Sequence, residues 1–441
     1  MKLAVREFDL RVMNMRSRMP FKYGIATMTA MPHLFVRVEL EIDGRRQCGI
    51  AADHLPPKWF TKDPTTLYRD DIADMLAVIT NACRLATELP AAPTVFDCWQ
   101  QLYAAQKQWA AGTKHPSLLW NFGVSLVERA LIDAFCRATG KPFAVALNDG
   151  SLGIRWQNTP LGRIIVRHTV GLGDQLTGPE QIDDGLPQSL TACVREYGLT
   201  HFKIKLCGNQ EADLARLREI AGIMPAKFAL TLDGNEQYRS LDAFRTFWEA
   251  AQSLKEFLRH LIFVEQPLHR DVSLQVNFND WRDRPPIIID ESDAELTSFA
   301  TALDLGYAGT SHKNCKGVFK SISNAGLAKQ RGAILSGEDL SNVGPVALLQ
   351  DLAVVAALGI THAERNGHHY FRGLTALPEE TLAHHSDLYR RHERGFVTLN
   401  IQQGAIPVDS VVAAPFGVGF DVNAGKFTPL ADWRVESLDA N

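Results

Sequence analysis

The chain has 441 residues, with 46 Lys and Arg against 50 Asp and Glu, which gives a formal net charge of −4. A charge so close to balance argues against nucleic acid and against an anionic membrane surface as partners. The length suits two domains, one of them a barrel of about 250 residues.

The seven cysteines are odd in number, widely spaced and without a C-x-x-C pair. They indicate neither a disulfide framework nor a zinc ribbon, and we interpret them as buried thiols in a reducing compartment. The N-terminal sequence lacks the apolar core of a signal peptide, and no run approaches the ~20 apolar residues of a membrane span. We therefore expect a cytoplasmic protein.

The first 60 residues alternate in the manner of antiparallel strands, and the run 34–42 ends at Asp43-Gly44, a hairpin signal. A helix is predicted over 118–138, where apolar residues recur every three or four positions and Gly140 marks the end. We interpret Met28 and Met31 as core residues.

From residue 164 onward the pattern changes to short apolar runs, each followed by a helical stretch, which is the repeat of a parallel sheet or barrel. The absence of G-x-G-x-x-G after the first run favours a closed barrel over an open, doubly wound sheet, as does the number of runs. We count eight predicted strands: 164–170, 201–206, 228–233, 261–265, 287–290, 306–313, 333–337 and 360–364.

Three of these strands end on a carboxylate, namely Asp233, Glu265 and Asp290. The carboxyl ends of parallel barrel strands meet at one face, so three such oxygens can converge on one hard cation. Beyond about residue 395 the repeat stops. The segments 404–409 and 415–422 look like short strands and turns that return to the N-terminal domain.

Five motifs carry a resemblance to a known family: Lys203-Ile204-Lys205, Asp233-Gly234-Asn235, Val264-Glu265-Gln266-Pro267, Ile289-Asp290-Glu291-Ser292 and Pro415-Phe416-Gly417-Val418-Gly419. In order and approximate spacing they resemble the enolase superfamily, in its mandelate racemase and muconate lactonizing enzyme branch. The resemblance covers nearly the whole chain.

This resemblance implies an α/β fold with three parts. Residues 1–155 are expected to form an α+β capping domain, residues 156–395 a modified (β/α)8-type TIM barrel, and residues 396–441 a segment returning to the capping domain. It also implies one Mg²⁺ and a small carboxylate substrate from which a proton is abstracted, and we expect a homo-oligomer.

The resemblance also implies roles for the site residues. Asp233, Glu265 and Asp290 are the expected magnesium ligands. Lys205 is the expected acid/base residue, Lys203 helps to orient the substrate carboxylate, and Lys313 serves the opposite face of the substrate. We expect the nearby Lys203 and the cation to favour the uncharged form of Lys205, since a free lysine with a pKa of about 10.4 is charged at pH 7.

The sequence departs from the family pattern at three places. Lys316 follows Lys313 where relatives have a double glycine, so the two lysines compete for one role. The seventh strand ends near Glu338 without a histidine, and no role is assigned to Arg365, His368 or His369 after the eighth. Further candidates around the site or in substrate binding are Asn235, Glu291, Lys316, Glu338, Glu364 and, from capping-domain loops, Lys22, Tyr23 and His54.

The interpretation that follows is a Mg²⁺-dependent racemase or epimerase acting on a small carboxylate. A sugar-acid dehydratase or a cycloisomerase would use the same groups. A Schiff-base aldolase also uses a buried barrel lysine, but it needs no cation and so leaves the three carboxylates unexplained. A non-catalytic carboxylate-binding protein stays open as well, because a fold does not determine a function.

Overall fold

The computed structural model describes residues 1–439 and contains an N-terminal α+β domain and a closed barrel. The N-terminal sheet is antiparallel, with β1 Leu3–Tyr23, β2 Ala26–Ile42 and β3 Arg45–His54 in that order. The predicted hairpin between β2 and β3 is present, since Asp43 and Gly44 have φ values of 48° and 84°. Both angles suit a two-residue turn of the primed type.

Five helices complete this domain. The fourth, Ser117–Thr139, coincides with the predicted helix and ends at Gly140, whose φ of 65° is the left-handed conformation that glycine adopts easily. It is buried along most of its length against β3 and the second helix. The helices are α1 Pro57–Phe60, α2 Tyr68–Glu88, α3 Val95–Ala110, α4 Ser117–Thr139 and α5 Phe143–Asp149.

The barrel consists of eight parallel strands, as the sequence predicted, and it closes where the last strand pairs with the first. The sixth strand begins at Gly309 and not at the predicted residue 306, because Gly306 has a φ of 89° and belongs to a turn. The strands are β4 Arg163–Val170, β5 His201–Lys205, β6 Ala229–Asp233, β7 Leu261–Glu265, β8 Ile287–Ile289, β9 Gly309–His312, β10 Ile334–Gly337 and β11 His362–Arg365.

Helices connect successive barrel strands on the outside. They are α6 Leu190–Tyr197, α7 Gln210–Ala221, α8 Leu241–Ala251, α9 Lys255–Leu258, α10 Arg270–Ser273, α11 Ser298–Asp304, α12 Val318–Arg331 and α13 Ala347–Leu358. After β11 come three more: α14 Gly367–Tyr370, α15 Pro378–His384 and α16 Asp409–Ala413. No helix of residues 1–439 is long and apolar enough to cross a membrane.

The C-terminal segment joins both domains. Short strands β12 Tyr389–Arg391 and β13 Val397–Leu399 form a hairpin, and β14 Ala405–Pro407 pairs antiparallel with barrel strand β4. β15 Thr428–Pro429 returns to the N-terminal sheet, where it pairs with β1. Residues 415–422 form turns and bends instead of the predicted short strand. The domain boundaries at 155 and 395 stay predictions.

Two hydrophobic clusters fill the interior. The larger is continuous through the N-terminal domain and the barrel wall. The smaller lies where the β1–β2 hairpin meets loops of the barrel and comprises Met15, Phe21, Met28, Met31, Val343, Tyr370 and Phe371. This second cluster places the hairpin directly over the carboxyl ends of the barrel strands.

Candidate active site

The carboxylate tips of β6 and β7 stand side by side because the strands pair in register. Lys205 is opposite Asp233, and Asp233 is opposite Glu265. Alternation along β5 turns Lys203 to the same inner face as Lys205. All four side chains are buried, with exposures between 0 and 6%.

Lys203 lies at the centre of this cluster. Its Nζ is 3.0 Å from Asp233 Oδ2, 2.8 Å from Glu265 Oε2, 2.7 Å from Glu338 Oε2 and 3.0 Å from Glu364 Oε2. Burial acts to lower the pKa of Lys203, but the four carboxylates together raise it well above the ordinary lysine value. Lys203 is therefore an ammonium group that neutralises the base of the site.

Glu265, like Glu364, has Lys203 as its only cationic group within 4.0 Å among residues 1–439. Burial, followed by repulsion from Asp233 and Glu338, raises the pKa of Glu265 well above its usual value, and Lys203 does not offset them. Apart from the ionic contact with Lys203, its Oε2 has no donor. The cluster therefore has room for more positive charge at Glu265.

Asp290 is fixed by a different set of donors. Its Oδ1 accepts hydrogen bonds from Ser311 Oγ at 2.6 Å and from Lys316 Nζ at 3.0 Å, and its Oδ2 lies 2.9 Å from Lys313 Nζ. Burial raises its pKa, but Lys313 and Lys316 lower it more, so that the pKa of Asp290 is well below the usual range. Gln266 supports the same tip, since its Oε1 accepts from the Asp290 backbone N–H at 2.8 Å.

The two competing lysines after β9 have different surroundings. Lys313 lines the pocket described below, and its Nζ lies 4.4 Å from the centre of the Trp59 ring. Lys316 is folded back by the short 3-10 turn Asn314–Lys316 and donates to Ser311 Oγ at 2.8 Å. Lys316 is thus buried against Asp290, and it does not line the pocket.

A pocket lies above these groups at the carboxyl ends of the strands. Its polar floor includes Lys205, Lys313, Asn235, Glu364 and Asn366. Its roof is apolar and comes from the N-terminal domain: Phe21, Tyr23, Met28, Met31, Pro56 and Trp59. Met28 and Met31, which the sequence indicated as core residues, therefore belong both to the small cluster and to the pocket wall.

Buried ion pairs attach the roof to the barrel. Arg270 binds Glu236 in a bidentate manner, with both contacts at 2.7 Å, and donates to the backbone carbonyls of Trp59 and Phe60. Lys62 Nζ lies 3.1 Å from Glu236 Oε2. We refer to Glu236, Arg270 and Lys62 as the roof clamp, because it fixes the segment that carries Trp59.

Strained backbone conformations occur next to two of the strand tips. Among residues 1–439, eight non-glycine residues have positive φ, and Asn235, Glu236 and Gln266 are three of them, at 38°, 66° and 35°. Such conformations cost of order 1–3 kcal/mol each and are found most often at functional sites. Here they turn the chain sharply behind Asp233 and Glu265, and the Asn235 N–H donates to Asp233 Oδ1 at 2.8 Å.

A hard divalent cation prefers oxygen ligands, such as those of carboxylates and amides. The buried Glu291 Oε2 and Asn235 Oδ1 accept no hydrogen bond. In the described part of the chain, the carboxylate oxygens of Asp233, Glu265 and Asp290 do not all lie within 4.8 Å of one another. The reason is that each of these carboxylates is turned toward a lysine. The donors fit magnesium once the cation replaces those ammonium contacts.

The remaining predicted residues lie at different distances from the pocket. Tyr23 lines it, whereas Lys22 is exposed and His54 is buried with Nδ1 3.1 Å from the Leu340 carbonyl oxygen. Burial raises the pKa of Glu291 to about 7, and its Oε1 accepts from Asn235 at 3.3 Å. Glu338 lies below the pocket and accepts from Ser336 Oγ at 2.6 Å.

Sequence patterns did not indicate two further parts of the site. Arg167, inside the barrel, binds Glu338 and lies 5.2 Å from the centre of the Phe263 ring. It belongs to β4, but an arginine inside a barrel is unusual and no motif marks it. Lys62 and Arg270 of the roof clamp carry no sequence signal at all.

Residues 186–405 match the sequence model of the family described as "Enolase C-terminal domain-like". The chain belongs to the enolase superfamily, in its mandelate racemase and muconate lactonizing enzyme branch. This confirms the resemblance seen in the motifs and the expected fold. No curated protein sequence matches the chain.

Solved structures of low sequence identity share the fold over most of the chain. A mandelate racemase/muconate lactonizing protein from Herpetosiphon aurantiacus is 17% identical, with a TM-score of 0.66 and coverage of 94% of this chain and 98% of that one. An enolase from Bradyrhizobium, complexed with magnesium and mandelic acid, is 15% identical, with a TM-score of 0.64 and coverages of 97% and 99%. A dipeptide epimerase from Enterococcus faecalis, complexed with Mg and a dipeptide, is 16% identical, with a TM-score of 0.63 and coverages of 91% and 99%.

Proposed function

We propose that the chain is a magnesium-dependent racemase or epimerase that moves the proton on the carbon next to a carboxylate. One observation carries the proposal: Lys205 and Lys313 line the same pocket from different strands. Those strands, β5 and β9, are the second and sixth of eight in the closed barrel. Their ends therefore lie across the barrel axis from each other, and the two amino groups approach a substrate carbon from opposite sides.

The proton next to a carboxylate is weakly acidic, because its removal adds a second negative charge to a group that already has one. When bound by Asp233, Glu265 and Asp290, magnesium supplies the counter-charge for this enediolate. The raised pKa of Glu265, caused first by burial, supports a cation at this position.

The two lysines have opposite tasks in each turnover. For one enantiomer, the Lys205 amine accepts the proton and the C–H electron pair enters the enediolate, after which the Lys313 ammonium donates a proton to the other face. Burial lowers the pKa of Lys313, but Asp290 and other carboxylates raise it well above the usual value, which favours its ammonium form in this structure. For the other enantiomer the tasks are exchanged.

The apolar roof indicates which kind of substrate carboxylate would bind. Two aromatic rings of the hairpin, Phe21 and Tyr23, pack in a tilted arrangement with centroids 4.8 Å apart, and Trp59 covers Lys313. A substrate with an aromatic or aliphatic group beside its carboxylate would bury that group under the roof, at about 25 cal/mol per Å² of apolar surface. The floor supplies the polar contacts through Asn235 and Asn366.

Carboxylates of this class should be incubated with the magnesium-loaded protein in D₂O. We expect deuterium next to the carboxylate together with inversion of configuration. Lys205→Ala and Lys313→Ala should each stop inversion, yet each should still exchange the proton of the one enantiomer that faces the surviving lysine. Lys227→Ala, an exposed lysine outside the site, is the matched control and should behave as the parent protein.

Other outcomes would contradict the proposal. Loss of water from the substrate would identify a dehydratase, and ring formation a cycloisomerase. Tight binding without any exchange would identify a non-catalytic carboxylate-binding protein. Exchange of both enantiomers by both lysine variants would exclude the division of tasks between Lys205 and Lys313.

A further inference from the structure

Behind the first barrel strand lies a group of metal-binding side chains that the reaction does not use. His168 is on β4, Cys193 on α6 and His369 on α14, and each offers one ligand atom within 4.8 Å of the other two. It is the sole such group of His, Cys, Asp and Glu among residues 1–439. The three residues are between 0 and 2% exposed.

We propose that His168, Cys193 and His369 form a second metal site, for a divalent ion that prefers thiolate and imidazole, with Zn²⁺ as the best match. Zinc bonds of about 2.0–2.1 Å to nitrogen and about 2.3 Å to sulfur in tetrahedral geometry separate the two ligand atoms by roughly 3.5 Å. Cys193 Sγ lies 3.7 Å from His369 Nδ1. Small rotations of these side chains are therefore enough to bind the ion.

The second nitrogen of His369 has the partner that a metal-bound imidazole usually has. Its Nε2 lies 3.6 Å from Asp174 Oδ2, and Asp174 is itself fixed by Tyr370 Oη and by the Gly171 N–H, both at 2.6 Å. A carboxylate behind the distal nitrogen orients the ring and increases its basicity toward a metal.

His168 is oriented in a similar way by a second imidazole. Its Nδ1 lies 3.1 Å from His368 Nε2, which leaves the other nitrogen of His168 for the metal. Burial, the largest cause, lowers the pKa of His168 to about 3, so the ring is neutral at pH 7, as a metal ligand must be. This arrangement gives roles to His368 and His369, for which the family pattern has none.

Binding has a chemical signature because Cys193 is a thiol in the metal-free protein. Burial raises its pKa well above the usual value for cysteine. Formation of the metal–sulfur bond replaces the S–H bond, and one proton is released to solvent for each ion bound. The oxygen-rich magnesium site has no thiol and gives no thiolate-to-metal band.

The site would stabilise the pocket roof. His369 is followed by Tyr370, whose ring stacks on Phe21 at a centroid distance of 4.1 Å, and Phe21 lines the pocket. Metal binding would join β4, α6 and α14 and restrict the segment that supports this ring. The proposal concerns a structural metal and is independent of the reaction assigned to the pocket.

The test uses the whole protein, stripped of metal and then titrated with Zn²⁺ or Co²⁺ in the presence of excess Mg²⁺. We expect one Zn²⁺ per chain after gel filtration and, with Co²⁺, a near-ultraviolet thiolate-to-metal band. Cys193→Ser and His369→Gln should each remove the band and lower zinc binding at least about 10–100-fold. Cys207→Ser, which alters a partly exposed cysteine away from the group, and Glu265→Gln should keep both signals.

The parent protein alone decides the outcome even if a variant does not fold. Absence of a thiolate band, or zinc binding without release of a proton, would overturn the proposal. So would a band that survives Cys193→Ser or disappears in Cys207→Ser. Circular dichroism of each variant distinguishes loss of the ligand from loss of the fold.

Discussion

Replacement of Lys203 by methionine tests the electrostatics at the base of the site. Methionine keeps the length and apolar stem of lysine but removes the charge shared by four carboxylates. Asp233 retains Lys205 at 2.6 Å, and Glu338 retains Arg167. Only Glu265 and Glu364 lose their one cationic partner within 4.0 Å among the described residues.

The loss of stability in Lys203→Met comes mainly from Glu364. Glu265 already has a raised pKa, caused first by burial, and can accept a proton when Lys203 is removed. Burial also acts to raise the pKa of Glu364, but Lys203 and Lys205 keep it well below the usual value, so this carboxylate stays charged. One buried charge without a partner costs about 3–5 kcal/mol, a large part of a net stability of about 5–15 kcal/mol.

The measurement is chemical denaturation at pH 7 together with thermal melting, for which the loss corresponds to a fall of about 5–10 °C. Lys205→Met is the matched control, because Asp233 keeps Lys203 at 3.0 Å, and it should lose clearly less. Equal stability of Lys203→Met and the parent, or a larger loss in Lys205→Met, would refute the view that Lys203 neutralises the cluster.

Three further predictions concern the metal, the roof and pH. Glu265→Gln should reduce turnover below detection while circular dichroism and melting stay near those of the parent, and activity with a normal magnesium requirement would contradict this. Trp59→Leu should lower kcat/KM about 3–30-fold by removing a cation–π contact of about 0.5–2 kcal/mol with Lys313, whereas Trp59→Phe should retain most of it. Burial lowers the pKa of His54 and His385 to about 4. Both rings therefore stay neutral in the folded state, whereas in the unfolded state they take up protons below about pH 6.5. The contribution of the neutral rings to the free energy of unfolding should therefore be fully present above pH 6.5 and fall toward pH 4, by up to about 1.4 kcal/mol per pH unit for each ring. His385→Gln should make the free energy of unfolding depend less on pH.

The barrel was predictable because its strands are buried on both faces and read as short apolar runs. The carboxylates of Asp233 and Glu265 indicated the position of the site, because a charge at the end of a buried apolar run needs a function or a partner. The error at residue 306 has a local cause. Gly306, Tyr307 and Ala308 resemble a strand in composition, but a left-handed glycine turns the chain there.

Other features depend on tertiary contacts that no local pattern contains. Met28 and Met31 are apolar whether they fill a core or line a pocket, so their sequence predicted only burial. The 3-10 turn that folds Lys316 back onto Asp290 depends on contacts made by side chains from β8 and β9. The metal-binding group of His168, Cys193 and His369 spans 202 positions of the sequence and has no spacing motif.

The strand pairings of the C-terminal segment also determine the order in which the chain can complete its folding. The first barrel strand pairs with residues 362–365 and, at its start, with residues 405–407. In the N-terminal sheet, Arg11 lies opposite Pro429. Such distant pairings form slowly, because long loops must close before the contacts compensate for the lost entropy. During synthesis the barrel keeps an open edge until residue 365 is available, and the β1 edge of the N-terminal sheet stays open until residue 429. The nascent chain therefore exposes unpaired strand edges for most of its production.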